Sequence, residues 1–357
     1  MLKFLKDRKS DYSAAIFINE LAQASKSLGI LEAKINAYQF DGILIPMLHT
    51  KEAISSMAIE GTQTTIPDVY AGAVHQAKQT DKISIEVNNH TRALLFGVEY
   101  LRSNNFSHSF IQYLHEIMLK DIIGSQFSDT LGQYKTSDNR IVNSAGTVVF
   151  NPPSHTETKS YMDELIDYMN DFTDETHPLI KAAIVHSQFE SIHPFSDGNG
   201  RVGRLLVSLY LYKAKIINFP FFYISEAINL DKTIYYRMLT DSRNNSYSEW
   251  IRYFLQKIDV QTIRLTGYID SLNALYTKTK QSLLNCINTT KYDSIINCLF
   301  THPVLTATYL SDSLNISRAQ AVRYLNTLEA EHILEGDDKK RNRDFFFTEL
   351  INLAQCV

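Results

Sequence analysis

Along most of the 357-residue chain, apolar side chains recur at helical spacing and strict apolar–polar alternation is rare. The pattern predicts a mainly α-helical protein. Only 13 glycines and 8 prolines interrupt it, too few for a chain of short strands and turns. One helix is predicted over about Lys51 to Glu60, stopped by Gly61. A second starts near Pro67, with Thr65 as N-cap and Asp68 three residues on. A third runs from His108 to Leu119. The texture then changes. Residues 132 to 155, GQYKTSDNRIVNSAGTVVFNPPSH, carry turn signals at Ser137-Asp138-Asn139 and Ser144-Ala145-Gly146, with short β-branched runs beside them and Pro152-Pro153 after. This predicts a small β-hairpin, or flap. Helices resume at about Thr156. Pro178 suits the first turn of a helix through Ile180, Ala183, Ile184 and Val185 to about Ser191.

From about Leu275 the rhythm differs again. LTATYLSDSLNISRAQAVRYLNTLEAEHILE reads as two short helices joined by a tight turn at Leu314-Asn315-Ile316, with Ser317 capping the second. Leu310, Leu314, Ile316, Val322, Leu325 and Leu328 are its expected core. The charged turn DDKKRNR, followed by Asp344 and three phenylalanines, is the candidate wing. This stretch resembles a winged helix-turn-helix.

Composition narrows the class. With 44% hydrophobic and 21% charged residues, the chain reads as an ordinary globular protein. A formal net charge of −4 gives no global pull toward nucleic acid or anionic membrane. The start, MLKFLKDRKSDYS, lacks the apolar core of a signal peptide. No apolar run approaches the ~20 residues of a membrane helix, so no membrane role is expected. Cys286, Cys298 and Cys356 are few, late and odd in number, which suits the cytoplasm rather than a disulfide framework.

The chemistry concentrates in residues 193 to 204, HPFSDGNGRVGR. Pro194 pushes His193 out of the α region, so the preceding helix ends there and the imidazole sits on a loop. Its unperturbed pKa suits a general base. Asp197 is a lone carboxylate of the kind that holds magnesium together with substrate phosphates. Gly198-Asn199-Gly200 lets the backbone approach an anion. From Arg201 onward Val202, Leu205, Leu206 and Leu209 mark a helix whose N-terminus favours phosphate. Arg201 and Arg204 stand one turn apart, about 4.5 Å along the axis, placed to grip successive phosphates. A base, a metal carboxylate, an anion nest and two arginine clamps are equipment for moving a phosphorus centre from a nucleotide to a hydroxyl. The embedded G-x-G-x-x-G also fits a dinucleotide-binding turn. That fold needs a preceding strand and an acidic residue about 20 positions later. Here a helix precedes, and residues 218 to 222 read NFPFF.

These twelve residues match the Fic family pattern H-x-F-x-[D/E]-G-N-G-R-x-x-R at all of its fixed positions. The resemblance extends over most of the chain, to about residue 265. The flap lies where Fic proteins carry a target-positioning hairpin. The fold implied is a Fic-type helical core with a small β-hairpin flap, followed by the winged-helix-like module. The divisions expected are an N-terminal helical region over 1–105, a catalytic core over 106–268 with its flap at about 132–153, and the module over 269–357.

The resemblance implies transfer of AMP from ATP to a serine, threonine or tyrosine hydroxyl of a target protein, and of the chain itself. His193 would be the base and Asp197 the Mg2+ ligand. Gly198, Asn199, Gly200 and their amides would hold the α-phosphate, and Arg201 and Arg204 the β- and γ-phosphates. Tyr235, in a Tyr235-Tyr236 pair, is placed at the adenine. SSMAIEG, residues 55 to 61, resembles the family's inhibitory pattern [S/T]-x-x-x-E-[G/N] through Ser56, Glu60 and Gly61. There Glu60 would pair with Arg204 and block the γ-phosphate clamp. On the residues alone, Gly61 suits a left-handed C-cap, leaving Glu60 in a last turn that its own helix dipole disfavours. Many relatives self-associate, so a homodimer is expected. The run KKRNR suits DNA phosphates, and recruitment of a protein target is an equal use for the module. The other reading carried is a nucleic-acid-binding regulator whose Fic core senses nucleotide.

Overall fold

The computed structural model describes residues 2–8, 14–38, 41–62, 64–65, 69–70, 82–122, 124, 129–142, 145–218, 222–244, 247–339 and 342–355. It is mainly helical with two small sheets. Helix α1 (Ile18–Ala37) lies along α10 (Tyr247–Cys286). Helix α2 (Asp41–Ile59) begins ten residues before the expected start and carries Pro46 inside it. It packs against α3 (Lys82–Ser103) and reaches the centre of the molecule. The helix expected from Pro67 falls largely outside the described residues. α4 (His108–Leu119) has the expected bounds, with Ser107 accepting from the Phe110 N–H at 3.2 Å.

The flap is a two-stranded antiparallel hairpin, β1 (Ile141–Val142) and β2 (Val148–Phe150), with an irregular register between Ile141 and Val142. α5 (His155–Asn170) follows. Then comes α6 (Pro178–Ile192), with Pro178 in its first turn and nearly every residue buried. A helix buried on every side lies at the centre of the fold, even though this one carries polar residues such as His186 and Glu190. Around it pack α5, α7 (Asn199–Lys213), α9 (Lys232–Arg243) and α10. Short α8 (Ser225–Asn229) lies against α2. Trp250 anchors α10 on α6 by donating from Nε1 to the Ala183 carbonyl at 2.8 Å.

The forty-residue α10 runs unbroken past residue 268 into the C-terminal segment. There α11 (Tyr292–Thr301), β3 (Val304–Leu305), α12 (Ala307–Leu314), α13 (Arg318–Ala330), β4 (Glu335–Gly336), β5 (Phe345–Phe346) and α14 (Thr348–Gln355) follow. The strands form one antiparallel sheet in the order β3-β5-β4. Asn315 takes the left-handed turn conformation and Ser317 caps α13. Leu310, Leu314, Leu325 and Leu328 form the expected small core. Val322 does not join them. It is 39% exposed, on the outer face of α13. Lys339 and Arg343 of the charged turn are taken up internally by Asp337, Asp344 and Glu329. Lys340, Arg341 and Cys356 lie outside the described residues.

Candidate active site

Helix α6 stops at His193, which takes φ 49° and ψ 60°. That left-handed conformation costs a non-glycine residue about 1–2 kcal/mol, so the loop must be held. Phe195 is buried and stacks on His115 with ring centroids 3.9 Å apart. His115 Nδ1 accepts from the Gly132 N–H (3.0 Å), which leaves the proton on Nε2 to donate to the Asp197 carbonyl (3.1 Å). Burial pushes His115 down to about 4, keeping it in this neutral form. Asn199 Oδ1 accepts from the Phe195 N–H and its Nδ2 donates to the Phe195 carbonyl, both at 2.8 Å. The amide is thus committed to shaping the loop and to fixing the backbone N–H groups around it.

His193 lies with Nδ1 3.4 Å from the Glu190 carbonyl. A carbonyl only accepts, so this contact places the proton on Nδ1 and leaves the lone pair on Nε2. Burial pushes the imidazole down to about 4. The ring is therefore neutral at pH 7, the form a base requires.

Gly198 turns the chain into α7 with φ 77°, and a Cβ there would collide with Leu119. Beyond it lie the first N–H groups of α7, unpartnered within the helix and carrying its positive dipole end. Asp197 Oδ1 accepts from the Gly198 N–H at 2.6 Å and lies 3.6 Å from Arg201. Its side chain is 43% exposed. No group of three or more His, Cys, Asp or Glu side chains able to hold a metal ion forms among the described residues. A single accessible carboxylate beside an anion site fits magnesium, which takes most of its ligands from phosphate and water.

Both clamp arginines have carboxylate partners. Arg201 donates to Glu86 of α3 at 2.7 Å. Arg204, with a side chain only 1% exposed, donates from Nε and Nη2 to Ser56 Oγ (3.1 and 2.9 Å) and from Nη2 to the Ser56 carbonyl (3.0 Å). Nη2 also donates to Glu60 Oε1 at 2.8 Å. Burial works against the Glu60 charge, yet the Arg204 guanidinium outweighs it and holds the carboxyl below its usual range. Gly61 caps α2 with φ 96°, and the Thr62 N–H reaches back to the Met57 carbonyl at 3.1 Å. That cap aims Glu60 across the first turn of α7, where a Cβ on Gly200 would collide with Glu60 Oε1. The charge disfavoured by the end of its own helix thus sits at the favourable end of another.

Tyr235 requires a correction. It is 1% exposed, with its hydroxyl 2.9 Å from His186 Nε2, and it packs against Trp250. No ring face is open to a base. Its neighbour Tyr236 is 45% exposed and donates to the Ile59 carbonyl at 3.1 Å, next to Glu60. A tyrosine pair on a helix presents one ring inward and the next outward, and the sequence does not say which.

Three comparisons with known proteins bear on this arrangement. The Fic/DOC family model matches residues 105–211, and the Fic/DOC family N-terminal model matches residues 18–99. The chain belongs to the Fic/DOC family. Protein adenylyltransferase Fic of Nematostella vectensis is 27% identical over 206 residues, covering 56% of this chain and 44% of that protein. The protein of the same name from Drosophila willistoni is 28% identical over 167 residues, covering 44% and 31%. The Fic chain thus spans less than half the length of these relatives. A Fic family protein from Desulfovibrio desulfuricans G20 shares the fold with a TM-score of 0.57 at 19% identity, over 94% of this chain and 96% of that one. Among the described residues of this Fic protein, no helix is long and apolar enough to cross a membrane.

Four further residues of the Fic site escaped the motif. Glu86 neutralises Arg201, and His115 supports Phe195. Lys135 and Asn139 hold the loop carbonyls. The last two stand four apart inside the flap segment, where the turn signal Ser-Asp-Asn masked them.

Proposed function

We propose that this Fic protein transfers AMP from ATP to a hydroxyl of a protein, and that Glu60 holds it inactive. The observation that carries the reading is a neutral histidine, with Nε2 free as acceptor, on the loop that opens into the α7 anion site. His193 Nε2 takes the proton from the accepting hydroxyl. The hydroxyl oxygen then bonds to the α-phosphorus, the bond from that phosphorus to the oxygen bridging to the β-phosphate breaks, and pyrophosphate leaves. Backbone N–H groups of Asn199 and Gly200, at the start of α7, would meet the charge that builds on the α-phosphate. Asp197 would hold magnesium, which supplies charge neutralisation to the phosphates when bound. Arg201 and Arg204 would take the β- and γ-phosphates once Glu86 and Glu60 yield them. Tyr236, rather than Tyr235, offers a ring to the adenine. Relatives named protein adenylyltransferase at 27–28% identity support the chemistry.

The inhibitory part of the proposal rests on competition. A carboxylate bound to Arg204 and lying over Gly200 occupies ground that the γ-phosphate needs. ATP carrying its label on the α-phosphate tests the reading directly. Transfer of that label to protein, lost in His193→Ala, supports it, and persistence in His193→Ala removes the base.

A further inference from the structure

We propose that Lys135 and Asn139 are positioning residues that bind the flap to the His193 loop, so that a hydroxyl presented on the flap and the base that deprotonates it move as one body. The inference rests on the AMP-transfer reading above. A helix C-terminus leaves its last carbonyls without partners inside the helix. Here residues 135 and 139 take all four carbonyls from 192 to 195. Lys135 Nζ donates to the Ile192 carbonyl (3.2 Å) and the Lys135 N–H to the Pro194 carbonyl (2.8 Å). Asn139 Nδ2 donates to the carbonyls of His193 (3.0 Å) and Phe195 (3.1 Å). Lys135 Nζ also donates to Asn139 Oδ1 at 2.8 Å, which turns the NH2 of that amide toward the loop. An ammonium as buried as Lys135 is unfavourable unless it is hydrogen-bonded, and two of its donors are used in these contacts.

Position gives these bonds a purpose. Asn139 stands two residues before β1, at the foot of the hairpin's first leg. The second leg is tied to the same helix end. Arg243 lies over the Phe150 ring at 4.5 Å and donates to Ser191 Oγ (3.0 Å) and the Glu190 carbonyl (3.3 Å). That carbonyl is the one facing His193 Nδ1. Both legs of the flap therefore close on residues 190 to 195. Val142, Val148 and Val149 leave the hairpin itself exposed, so without these ties it would sway against the base. A displacement of about 1 Å between reacting groups can cost about a hundredfold in rate.

The test uses the Glu60→Gly protein, in which the clamp is open. Asn139→Ala and Lys135→Met are each assayed for transfer from α-labelled ATP, for affinity toward fluorescent mant-ATP, and for amide hydrogen exchange over residues 193 to 198. Transfer at saturating ATP should fall about tenfold to a hundredfold while mant-ATP affinity stays within about threefold, the mark of a lost orientation rather than lost binding. Exchange across 193 to 198 should quicken about tenfold or more, and Lys135→Arg should transfer faster than Lys135→Met. Unchanged transfer, a loss matched by weaker mant-ATP binding, or unchanged exchange would each overturn the proposal. If Lys135→Met does not fold, Asn139→Ser leaves the lysine in place and answers the same question. If the Glu60→Gly parent transfers no label, the AMP reading has failed, and the exchange measurement alone decides whether the strap holds the loop.

Discussion

Replacing Glu60 with glycine removes one charged hydrogen bond to Arg204 and clears the space over Gly200. Charged hydrogen bonds contribute about 1.5–3 kcal/mol. Breaking a fully buried ion pair costs more, but the Glu60 side chain is 39% exposed, so solvent discounts this one. A latch of about 2–3 kcal/mol leaves roughly 0.6–3% of molecules with the clamp open. Opening it fully should raise transfer about 30- to 150-fold at subsaturating ATP, and tighten ATP binding by the same factor. Arg204 keeps its three contacts with Ser56, so it stays folded in place and ready for phosphate. The assay is transfer from α-labelled ATP beside calorimetric titration with ATP, on wild type and Glu60→Gly. An unchanged or lower rate, with circular dichroism showing the fold intact, would refute the latch. A faster rate with unchanged ATP affinity would refute the competition argument while leaving some inhibition by Glu60.

Three other outcomes are expected. His193→Ala should lower transfer by about 10²–10⁴-fold, the usual worth of a general base, with ATP affinity little changed by titration; an affinity loss of the same size would make His193 a binding residue. Gly200→Ala should weaken ATP binding about tenfold or more even in the Glu60→Gly background, because the added methyl meets Arg204 Nη1 at 2.9 Å in the anion site; tight binding in that double variant would contradict the placement of the phosphates. Stability should fall on acidification between about pH 6.5 and 4.5. His49, His115 and His193 are pushed down to about 4, and His90 and His186 to about 3, so the unfolded chain binds their protons first. Glu52 and Glu190, pushed up to about 8 and about 7, are protonated in the folded state and oppose this. Five histidines against two carboxyls give a net uptake of about three protons on unfolding, or about 4 kcal/mol per pH unit. Urea melts across that range check it, and a flat profile would contradict the burial of these rings.

The shape of the 193–204 loop was legible because its signals are local. His193-Pro194 ends one helix, Gly198 opens the next, and the side chains between have little freedom over what they face. The flap was legible for a similar reason, since turn residues and β-branched runs are short-range signals. The start of α2 was not. Pro46 reads as a breaker, and the helix continues through it because it packs on α3 and α8. The inward ring of the Tyr235-Tyr236 pair depends on where α9 meets α6, which only tertiary packing sets. Val322 was assigned to a core by helical spacing alone, and it faces outward because α13 buries its opposite side. Lys135 and Asn139 were least legible. Their partners are backbone carbonyls more than fifty residues away, and a carbonyl has no signature in sequence.

Two parallel incubations of the Glu60→Gly protein with magnesium and ATP test the central claim most directly, one with the label on the α-phosphate and one with it on the γ-phosphate. AMP transfer predicts protein labelled from the α-position alone, with none in His193→Ala. Label arriving from the γ-position would mean phosphoryl transfer, and would contradict the assignment of the α-phosphate to the Gly198–Gly200 turn.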